Sequence, residues 1–154
     1  CGDLSLYAGI CGGAEAIIVP EVEAFDRDEL CKTILEGKNK GKMHNLVILA
    51  EGIGGAFELA EYVENITGIE TRATVLGHIQ RGGTTCTFDR ILSTRYGVAA
   101  VELIEQGKFG SMVCLKGNEV TYDSLENVIG NNKKVDPNGE LVTVAKKIGI
   151  CFAD

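Results

Sequence analysis

The stretch 46–68, LVILAEGIGGAFELAEYVENITG, decides the predicted fold. Its first five residues are apolar, which predicts a short buried strand, and a turn follows at 51–55. Beyond the turn, Leu59 and Val63 lie at helical spacing, and Gly68 is typical of a helix end. A buried strand followed at once by an amphipathic helix is the unit from which parallel α/β sheets are built.

Strands and helices alternate along the preceding residues as well. The sequence predicts a helix at 3–12 with Leu4, Ala8 and Cys11 on its inner face, and then an apolar strand at 16–20. This strand ends at a proline, which cannot donate to a sheet. The amino-terminal part of the chain therefore repeats the same helix and strand pattern.

A second helix is expected between Asp26 and Gly37. Asp26, with Glu29 three residues later, is typical of a capping box, and Gly37 is typical of a helix end. Downstream, the pattern predicts a strand at 71–76, a helix at about 87–106 with Leu92, Tyr96, Ala99 and Leu103 inward, a strand at 112–115, and helices near 123–129 and 140–147. The alternation predicts an α/β fold, a layered Rossmann-like domain with a mostly parallel sheet.

The composition is that of a folded domain. The 154 residues are 45% hydrophobic and 24% charged, which is enough to build a core. The net charge of −7 argues against nucleic-acid binding, and no apolar run is long enough to cross a membrane. The chain opens at Cys1 without a methionine, so we expect a piece of a longer polypeptide.

The cysteines give no metal signature. The six cysteines form no Cys-x-x-Cys pair, and the chain has only two histidines, so the spacing of a zinc site is absent. We expect reduced thiols in a cytoplasmic protein.

The segment 77–83, GHIQRGG, followed by FDR at 88–90, is the strongest candidate site. It places His78 and Arg81 among glycines between a predicted strand and a predicted helix, which is an arrangement that suits a phosphate group. Together with Arg72 on the strand, these side chains form a candidate phosphate clamp. Two solvated arginines and a structural histidine are the alternative.

Glu51 is a second candidate at a strand end. It follows the apolar run 46–50, so it is expected at the carboxyl edge of the sheet, where ligands bind in open α/β folds. Its carboxylate can accept hydrogen bonds from sugar hydroxyls or act as a general base. A paired or solvated glutamate is the alternative.

The loop 38–44 carries lysines at alternate positions. Lys38, Lys40 and Lys42 form either a second anion site or a solvated charge run. The sequence contains no G-x-x-x-x-G-K-[ST] motif for nucleotide phosphates.

The GHIQRGG segment with FDR resembles the sugar-phosphate motif of bacterial ATP-dependent 6-phosphofructokinase. The resemblance covers the whole chain, which is similar to the carboxyl-terminal half of that enzyme and so to a fragment of a two-domain subunit. Further matching segments are Cys1-Gly2-Asp3-Leu4, Gly12-Gly13-Ala14-Glu15, Pro20-Glu21, Gly41-Lys42, Glu51-Gly52 and Glu70-Thr71-Arg72.

The resemblance implies roles for the candidate residues. His78 and Arg81 would bind the 6-phosphate of fructose 6-phosphate, Glu51 would hold its hydroxyls, and Arg72 would reach the phosphate of a neighbouring subunit. The family's effector site, which takes ADP or phosphoenolpyruvate, is matched by Gly13, Glu15, Lys40 and Lys42. Mg²⁺ carried by ADP would contact Glu15.

The resemblance also implies what this chain lacks. In the family, the amino-terminal half carries the ATP site, the Mg²⁺ ligands and the catalytic aspartate. No catalytic or metal-binding residue is therefore expected here, and the chain alone is expected to be inactive. The complete protein would be an allosteric homotetramer of glycolysis that transfers the γ-phosphoryl group of ATP to the 1-hydroxyl of fructose 6-phosphate.

The resemblance divides the chain into three parts. Residues 1–79 would form the small domain with the substrate and effector sites, 80–133 would belong to the larger ATP-binding domain, and 134–154 would return to the small domain. The composition shows no break near 79, whereas 131–139 is linker-like. A pyrophosphate-dependent phosphofructokinase and a non-catalytic sugar-phosphate or nucleotide-binding module are the alternative functions.

Overall fold

The computed structural model describes residues 1–22 and 25–154. It divides into two compact units: unit 1 comprises Cys1–Val75 with Lys133–Asp154, and unit 2 comprises Leu76–Asn132. The unit boundary between residues 132 and 133 falls in the linker-like stretch 131–139. The boundary between residues 75 and 76 falls where the composition gives no signal. The assignment of parts of the chain to a substrate domain and an ATP-binding domain stays a prediction.

The secondary structure alternates as expected for an α/β protein. In chain order the elements are α1 Asp3–Gly12, β1 Ala16–Ile18, α2 Arg27–Asn39, β2 Val47–Leu49, α3 Ala56–Thr67, the 3-10 helix Gly77–Arg81, α4 Thr87–Glu105, β3 Ser111–Lys116, β4 Glu119–Ser124, α5 Leu125–Val128 and α6 Glu140–Lys147. None of the described helices is long and apolar enough to cross a membrane.

Unit 1 is built around a short parallel sheet. Strands β1 and β2 run parallel, with Ala16 opposite Val47 and Ile18 opposite Leu49. On the other side of β1, Cys151 forms a parallel bridge with Ala16. β1 is therefore central, and the predicted α/β class with a parallel sheet is confirmed.

Helices cover both faces of β1 because neighbouring residues of a strand point to opposite sides. Ile17 packs in one cluster with Leu6 of α1 and with Val142 and Ala145 of α6. Ile18 and Ala16 pack in the other cluster, whose further members from α2 and α3 are Leu30, Ile34, Leu59 and Val63. All three residues of β1 are completely buried.

Two helices differ from their prediction. In α1 the buried residues are Leu6 and Gly9, whereas Leu4 is exposed, so the predicted inner face is wrong. A Cβ atom on Gly9 would lie 2.4 Å from Ile17 Cγ1, so the glycine allows α1 to approach the sheet on that side. α2 continues beyond Gly37 to Asn39, because the Lys40 amide donates to the carbonyls of Glu36 and Gly37.

The predicted strand 71–76 is wrong. The structure places no strand there; the Thr71 amide donates instead to the Glu64 carboxylate at 3.0 Å. The β-branched residues of this segment favour a strand, but a strand needs a neighbouring edge to pair with. No described strand of unit 1 pairs with residues 71–76.

Unit 2 packs α4 on an antiparallel hairpin. β3 and β4 pair from Ser111 opposite Ser124 to Lys116 opposite Glu119, across a two-residue turn that begins at Gly117 with φ 62°. Sequence reasoning missed β4, although a two-residue turn with glycine between strand-like runs is its signal. The predicted inner face of α4 is confirmed, since its partly buried residues are Leu92, Tyr96, Ala99 and Leu103.

Candidate functional site

Glu51 lies at the carboxyl end of β2, as predicted. The Ala50 amide donates to the Ile18 carbonyl at 2.9 Å, and the Gly54 amide donates to the Glu51 carbonyl at 3.1 Å, so the strand runs directly into a tight turn. A Cβ atom on Gly52 would come within 3.3 Å of the Pro20 ring, which shows how closely this turn packs. The Glu51 side chain is exposed at this edge of the sheet.

Arg72 lies on the surface of unit 1. Its Nε and Nη2 atoms donate to Glu70 Oε1 at 2.9 and 2.6 Å, and the side chain is 85% exposed. The residue also lines a shallow groove of about 550 Å³ with Phe57 and Glu61 of α3. An exposed ion pair of this kind contributes about 1 kcal/mol at most, so an incoming anion can replace Glu70.

His78 and Arg81 lie together in the 3-10 helix of unit 2. The prediction of a glycine-rich turn after a strand is wrong, because residues 77–81 form this short helix and no strand precedes it. A 3-10 helix has three residues per turn, so side chains three apart, such as these two, lie on the same side. Both are exposed, and the segment continues into Gly83 at φ 112°.

The four predicted substrate residues therefore belong to two units. Glu51 and Arg72 lie in unit 1, and His78 and Arg81 lie in unit 2. Within these units the structure brings His78 and Arg81 to one side of a single helix turn.

Glu15 and Lys42 are in direct contact at the other edge of the sheet. Lys42 Nζ lies 3.1 Å from Glu15 Oε1, and the Leu46 amide donates to Glu15 Oε2. Glu15 precedes β1 and Leu46 precedes β2, so this pair lies at the amino ends of the parallel strands. Glu51 lies at their carboxyl ends, so these two candidate sites occupy opposite edges of the sheet.

Gly13 and Lys40 each end a helix. Gly13 follows α1 in the left-handed region at φ 69°, and an added Cβ atom there would meet nothing within 4 Å. Lys40 follows α2 and is exposed. Each lies two residues along the chain from a member of the Glu15–Lys42 pair, but the side-chain contact joins only Glu15 and Lys42.

A comparison with protein families identifies the chain. The family model described as phosphofructokinase matches residues 1–104. The chain belongs to the phosphofructokinase family. The matched range includes all eight predicted site residues of the phosphofructokinase chain: Gly13, Glu15, Lys40, Lys42, Glu51, Arg72, His78 and Arg81.

Curated relatives and a solved structure agree with this membership. The chain is 56% identical over 146 residues to an ATP-dependent 6-phosphofructokinase of Clostridium novyi, covering 95% of this chain and 45% of the relative. It is 50% identical over 148 residues to that of Clostridium acetobutylicum, covering 96% and 46%. The crystal structure of Pichia pastoris phosphofructokinase in the T-state matches with a TM-score of 0.72 and 31% identity, covering 96% of this chain and 17% of that one. The chain thus spans somewhat less than half the length of these curated relatives.

The phosphofructokinase chain holds no metal cluster in its described part. No group of three or more His, Cys, Asp or Glu side chains there is arranged to bind a metal ion. The carboxylate of Glu15 already accepts from Lys42 and from the Leu46 amide.

Sequence reasoning missed two groups beside Lys42. The Leu46 amide that binds Glu15 has no sequence signal, because every non-proline residue carries such a donor. Asn45 Oδ1 is buried without a hydrogen-bond partner in the described residues. A Cβ atom on Gly37 would lie 3.6 Å from this oxygen and 3.3 Å from Lys42 Cδ, so the Lys42 stem packs in the same corner.

The pKa of Glu15 lies below its ordinary value. Burial alone would raise this pKa, but the hydrogen bond from the Leu46 amide and then the Lys42 ammonium outweigh it. A lowered carboxyl pKa means that the ionised form stabilises the fold above the ordinary value of 4.5, and that this stabilisation is lost as the pH falls through the folded-state pKa.

Replacing Glu15 by Gln should therefore cost stability in a pH-dependent way. We expect a loss of about 1 kcal/mol in the unfolding free energy at pH 7, since one hydrogen-bonded and partly exposed charge pair disappears. The difference from wild type should shrink as the pH falls below the ordinary value of 4.5 and through the lowered pKa of Glu15. Urea unfolding, monitored by circular dichroism at several pH values, measures this difference in unfolding free energy.

Glu29→Gln is the matched control. Glu29 pairs with Lys32 on the exposed surface of α2 at 3.2 Å, so its replacement should change the unfolding free energy much less than Glu15→Gln does. A Glu15→Gln effect on the unfolding free energy that does not shrink as the pH is lowered from 7 to the acid limit of the folded protein would contradict the role of the ionised carboxylate.

Proposed function

We propose that the chain is part of an ATP-dependent 6-phosphofructokinase, a glycolytic enzyme that transfers the γ-phosphoryl group of ATP to the 1-hydroxyl of fructose 6-phosphate. The observation that carries the proposal is the pair His78 and Arg81, exposed on one side of a 3-10 helix within the range matched by the family model. The names of the relatives favour ATP as the donor.

The substrate residues have distinct tasks in this proposal. Arg81 and His78 bind the 6-phosphate through charge-assisted hydrogen bonds, and the exposed carboxylate of Glu51 accepts from the sugar hydroxyls. Arg72 lies on the outer surface and exchanges Glu70 for the phosphate held by a neighbouring subunit of a homotetramer. Its high exposure supports a role outside its own subunit.

The binding site of the phosphoryl donor lies in the part of the polypeptide outside this chain. ATP, its Mg²⁺ ion and the catalytic base belong to residues outside this chain, and residues 80–133 join that larger domain. Residues 1–79 and 134–154 form the small domain. Catalysis of phosphoryl transfer depends mainly on positioning and charge stabilisation, and this chain would position the acceptor. We place the complete enzyme in the cytoplasm.

A donor assay on the complete polypeptide tests the proposal. With fructose 6-phosphate, ATP and Mg²⁺, we expect fructose 1,6-bisphosphate to form. Product formation with pyrophosphate alone would assign the chain to a pyrophosphate-dependent enzyme. Sugar-phosphate binding without product from either donor would indicate a non-catalytic binding module.

The pair Glu15–Lys42, with Gly13 and Lys40, is proposed as the effector site for ADP or phosphoenolpyruvate. Two lysines lie within three residues of each other at the amino edge of the sheet, and one is held in place by Glu15. The Glu15 carboxylate repels a bare phosphate group, whereas the Mg²⁺ of Mg-ADP would be attracted to it. Glu15 would therefore lower the affinity of the site for phosphoenolpyruvate relative to its affinity for Mg-ADP.

Replacing Lys42 by Ala in the complete enzyme should weaken the response to both effectors by roughly tenfold or more, because a charged hydrogen bond to phosphate is worth about 1.5–3 kcal/mol. Glu15→Ala should instead change which effector activates or inhibits, since an effector acts only through its different affinity for the two states. Each effector is titrated against the fructose 6-phosphate saturation curve at fixed ATP.

Lys32→Ala is the control for this experiment, because Lys32 is an exposed lysine of α2 that pairs only with its helix neighbour Glu29 among the described residues. It should leave both effector responses unchanged. Unchanged responses in Lys42→Ala and Glu15→Ala would show that the loop 38–44 is a solvated charge run without an effector role.

A further inference from the structure

The turn at residues 19–22 lies beside the turn that carries Glu51. It follows β1 directly, and the Val22 amide closes it by donating to the Val19 carbonyl at 3.3 Å. Both valines are buried in the core cluster that also contains Ala50, the residue before Glu51. The position of the turn 19–22 is therefore linked through the core to the position of the Glu51 turn.

Glu21 joins the turn 19–22 to the start of α1. The Gly2 amide lies 3.0 Å from each of the two carboxylate oxygens of Glu21, and this contact is partly shielded from solvent. Gly2 precedes α1, so the negative charge lies at the positive end of the helix dipole, which stabilises the contact. A Cβ atom on Gly2 would lie 2.3 Å from Val19 Cβ and 2.8 Å from Glu21 Oε2, so a side chain there would displace the carboxylate.

Pro20 connects the same turn to the backbone after Glu51. A Cβ atom on Gly52 would lie 3.3 Å from Pro20 Cγ, so the Glu51 turn rests on the proline ring. The Glu51 carboxylate is exposed, so the backbone of its turn sets where it can lie. The turn 19–22 is thus held by α1 on one side and supports the Glu51 turn on the other.

We propose that Glu21 is a positioning residue of the substrate site, which fixes the turn 19–22 against α1 and so holds Glu51 in place for the sugar hydroxyls. The inference rests on the proposed role of Glu51 in binding fructose 6-phosphate. The Glu21 carboxylate is engaged by the Gly2 amide, so it acts through Glu51 and not on the substrate. A shift of about 1 Å in a group that positions a substrate can lower the rate by about 100-fold, so a loosened support would be measurable.

Steady-state kinetics of the complete polypeptide test the proposal. Glu21→Ala removes the acceptor of the Gly2 amide, so half saturation by fructose 6-phosphate should need a roughly 5- to 20-fold higher concentration, while half saturation by ATP changes less than about twofold. Glu21→Gln keeps an oxygen that can accept from the Gly2 amide and should stay within about threefold of wild type. Asp26→Ala is the matched control, because the Asp26 carboxylate accepts from the Asp28 amide at 2.8 Å at the start of a different helix, α2. It should leave both saturation curves unchanged.

A double-mutant cycle with Glu51→Ala separates positioning from a general loss of stability. If Glu21 acts through Glu51, adding Glu21→Ala to a Glu51→Ala enzyme should change half saturation by fructose 6-phosphate less than about twofold further. Independent effects of the two replacements would overturn the inference, and so would a wild-type curve in Glu21→Ala when Glu51→Ala is impaired. An equal rise in Asp26→Ala would also overturn it.

Two further outcomes are distinguishable. A wild-type fructose 6-phosphate curve in Glu51→Ala would overturn the proposed role of Glu51 and this inference with it. If Glu21→Ala does not fold, Glu21→Asp replaces it in both measurements, because the shorter side chain withdraws the carboxylate from the Gly2 amide by one methylene group. The expected rise in half saturation and the contradicting results are then the same.

Discussion

Replacing Arg81 by Ala in the complete enzyme should raise the fructose 6-phosphate concentration needed for half saturation by roughly 10- to 100-fold. A lost charge-assisted hydrogen bond to phosphate costs about 1.5–3 kcal/mol, and a guanidinium makes two such bonds when it binds in bidentate fashion. His78→Ala should act in the same direction with a smaller effect, because an imidazole offers a single donor to the phosphate. Half saturation by ATP should change little in either variant.

Arg95→Ala controls for the loss of an arginine in unit 2. Arg95 donates from Nη2 to the Asn118 carbonyl at 2.8 Å, so it has a structural contact within the unit. Steady-state kinetics with each substrate varied in turn provide the measurement. Wild-type fructose 6-phosphate curves in both His78→Ala and Arg81→Ala would show that the exposed pair on the 3-10 helix does not bind the substrate.

The 154-residue chain by itself should form no fructose 1,6-bisphosphate. It spans less than half the length of the curated relatives, and in the proposed assignment the ATP site, the Mg²⁺ ligands and the catalytic base lie outside this chain. Without a bound donor and a base, correct placement of the acceptor increases the rate of phosphoryl transfer only slightly. The donor phosphate must also be aligned and its charge neutralised.

The measurement is a coupled assay with ATP, Mg²⁺ and fructose 6-phosphate on the chain purified over two unrelated chromatographic steps. The complete polypeptide, prepared in the same way, is the positive control. ATP-dependent product formation that co-elutes with the short chain, and that Arg81→Ala abolishes, would contradict the expectation.

Glu51 of the predicted substrate site and Glu15 of the predicted effector site lie at opposite edges of the unit 1 sheet. Glu51 follows β2, while Glu15 precedes β1, and each strand is only three residues long. At a rise of about 3.3 Å per residue, the two edges are roughly 10 Å apart.

Local patterns in the sequence determined most of the elements of this protein. The apolar run before Glu51, the helical spacing of Leu59 and Val63, and the inner face of α4 appear in the structure as predicted. These features depend on side-chain periodicity within one element, and a glycine such as Gly68 ends a helix through its own backbone, at φ 64°. The GHIQRGG motif was likewise readable because its residues are contiguous.

Only the tertiary structure decided features that depend on distant residues. Residues 71–76 have a strand-like sequence, but no described strand pairs with them. Glu15 contacts Lys42 although 27 residues separate them, and its second partner is a backbone amide, that of Leu46, which no residue type reveals. Leu6 rather than Leu4 is buried in α1, because Gly9 lets the helix approach Ile17 on that side. In each case the deciding partner is supplied by another part of the fold, so local spacing carries no information about it.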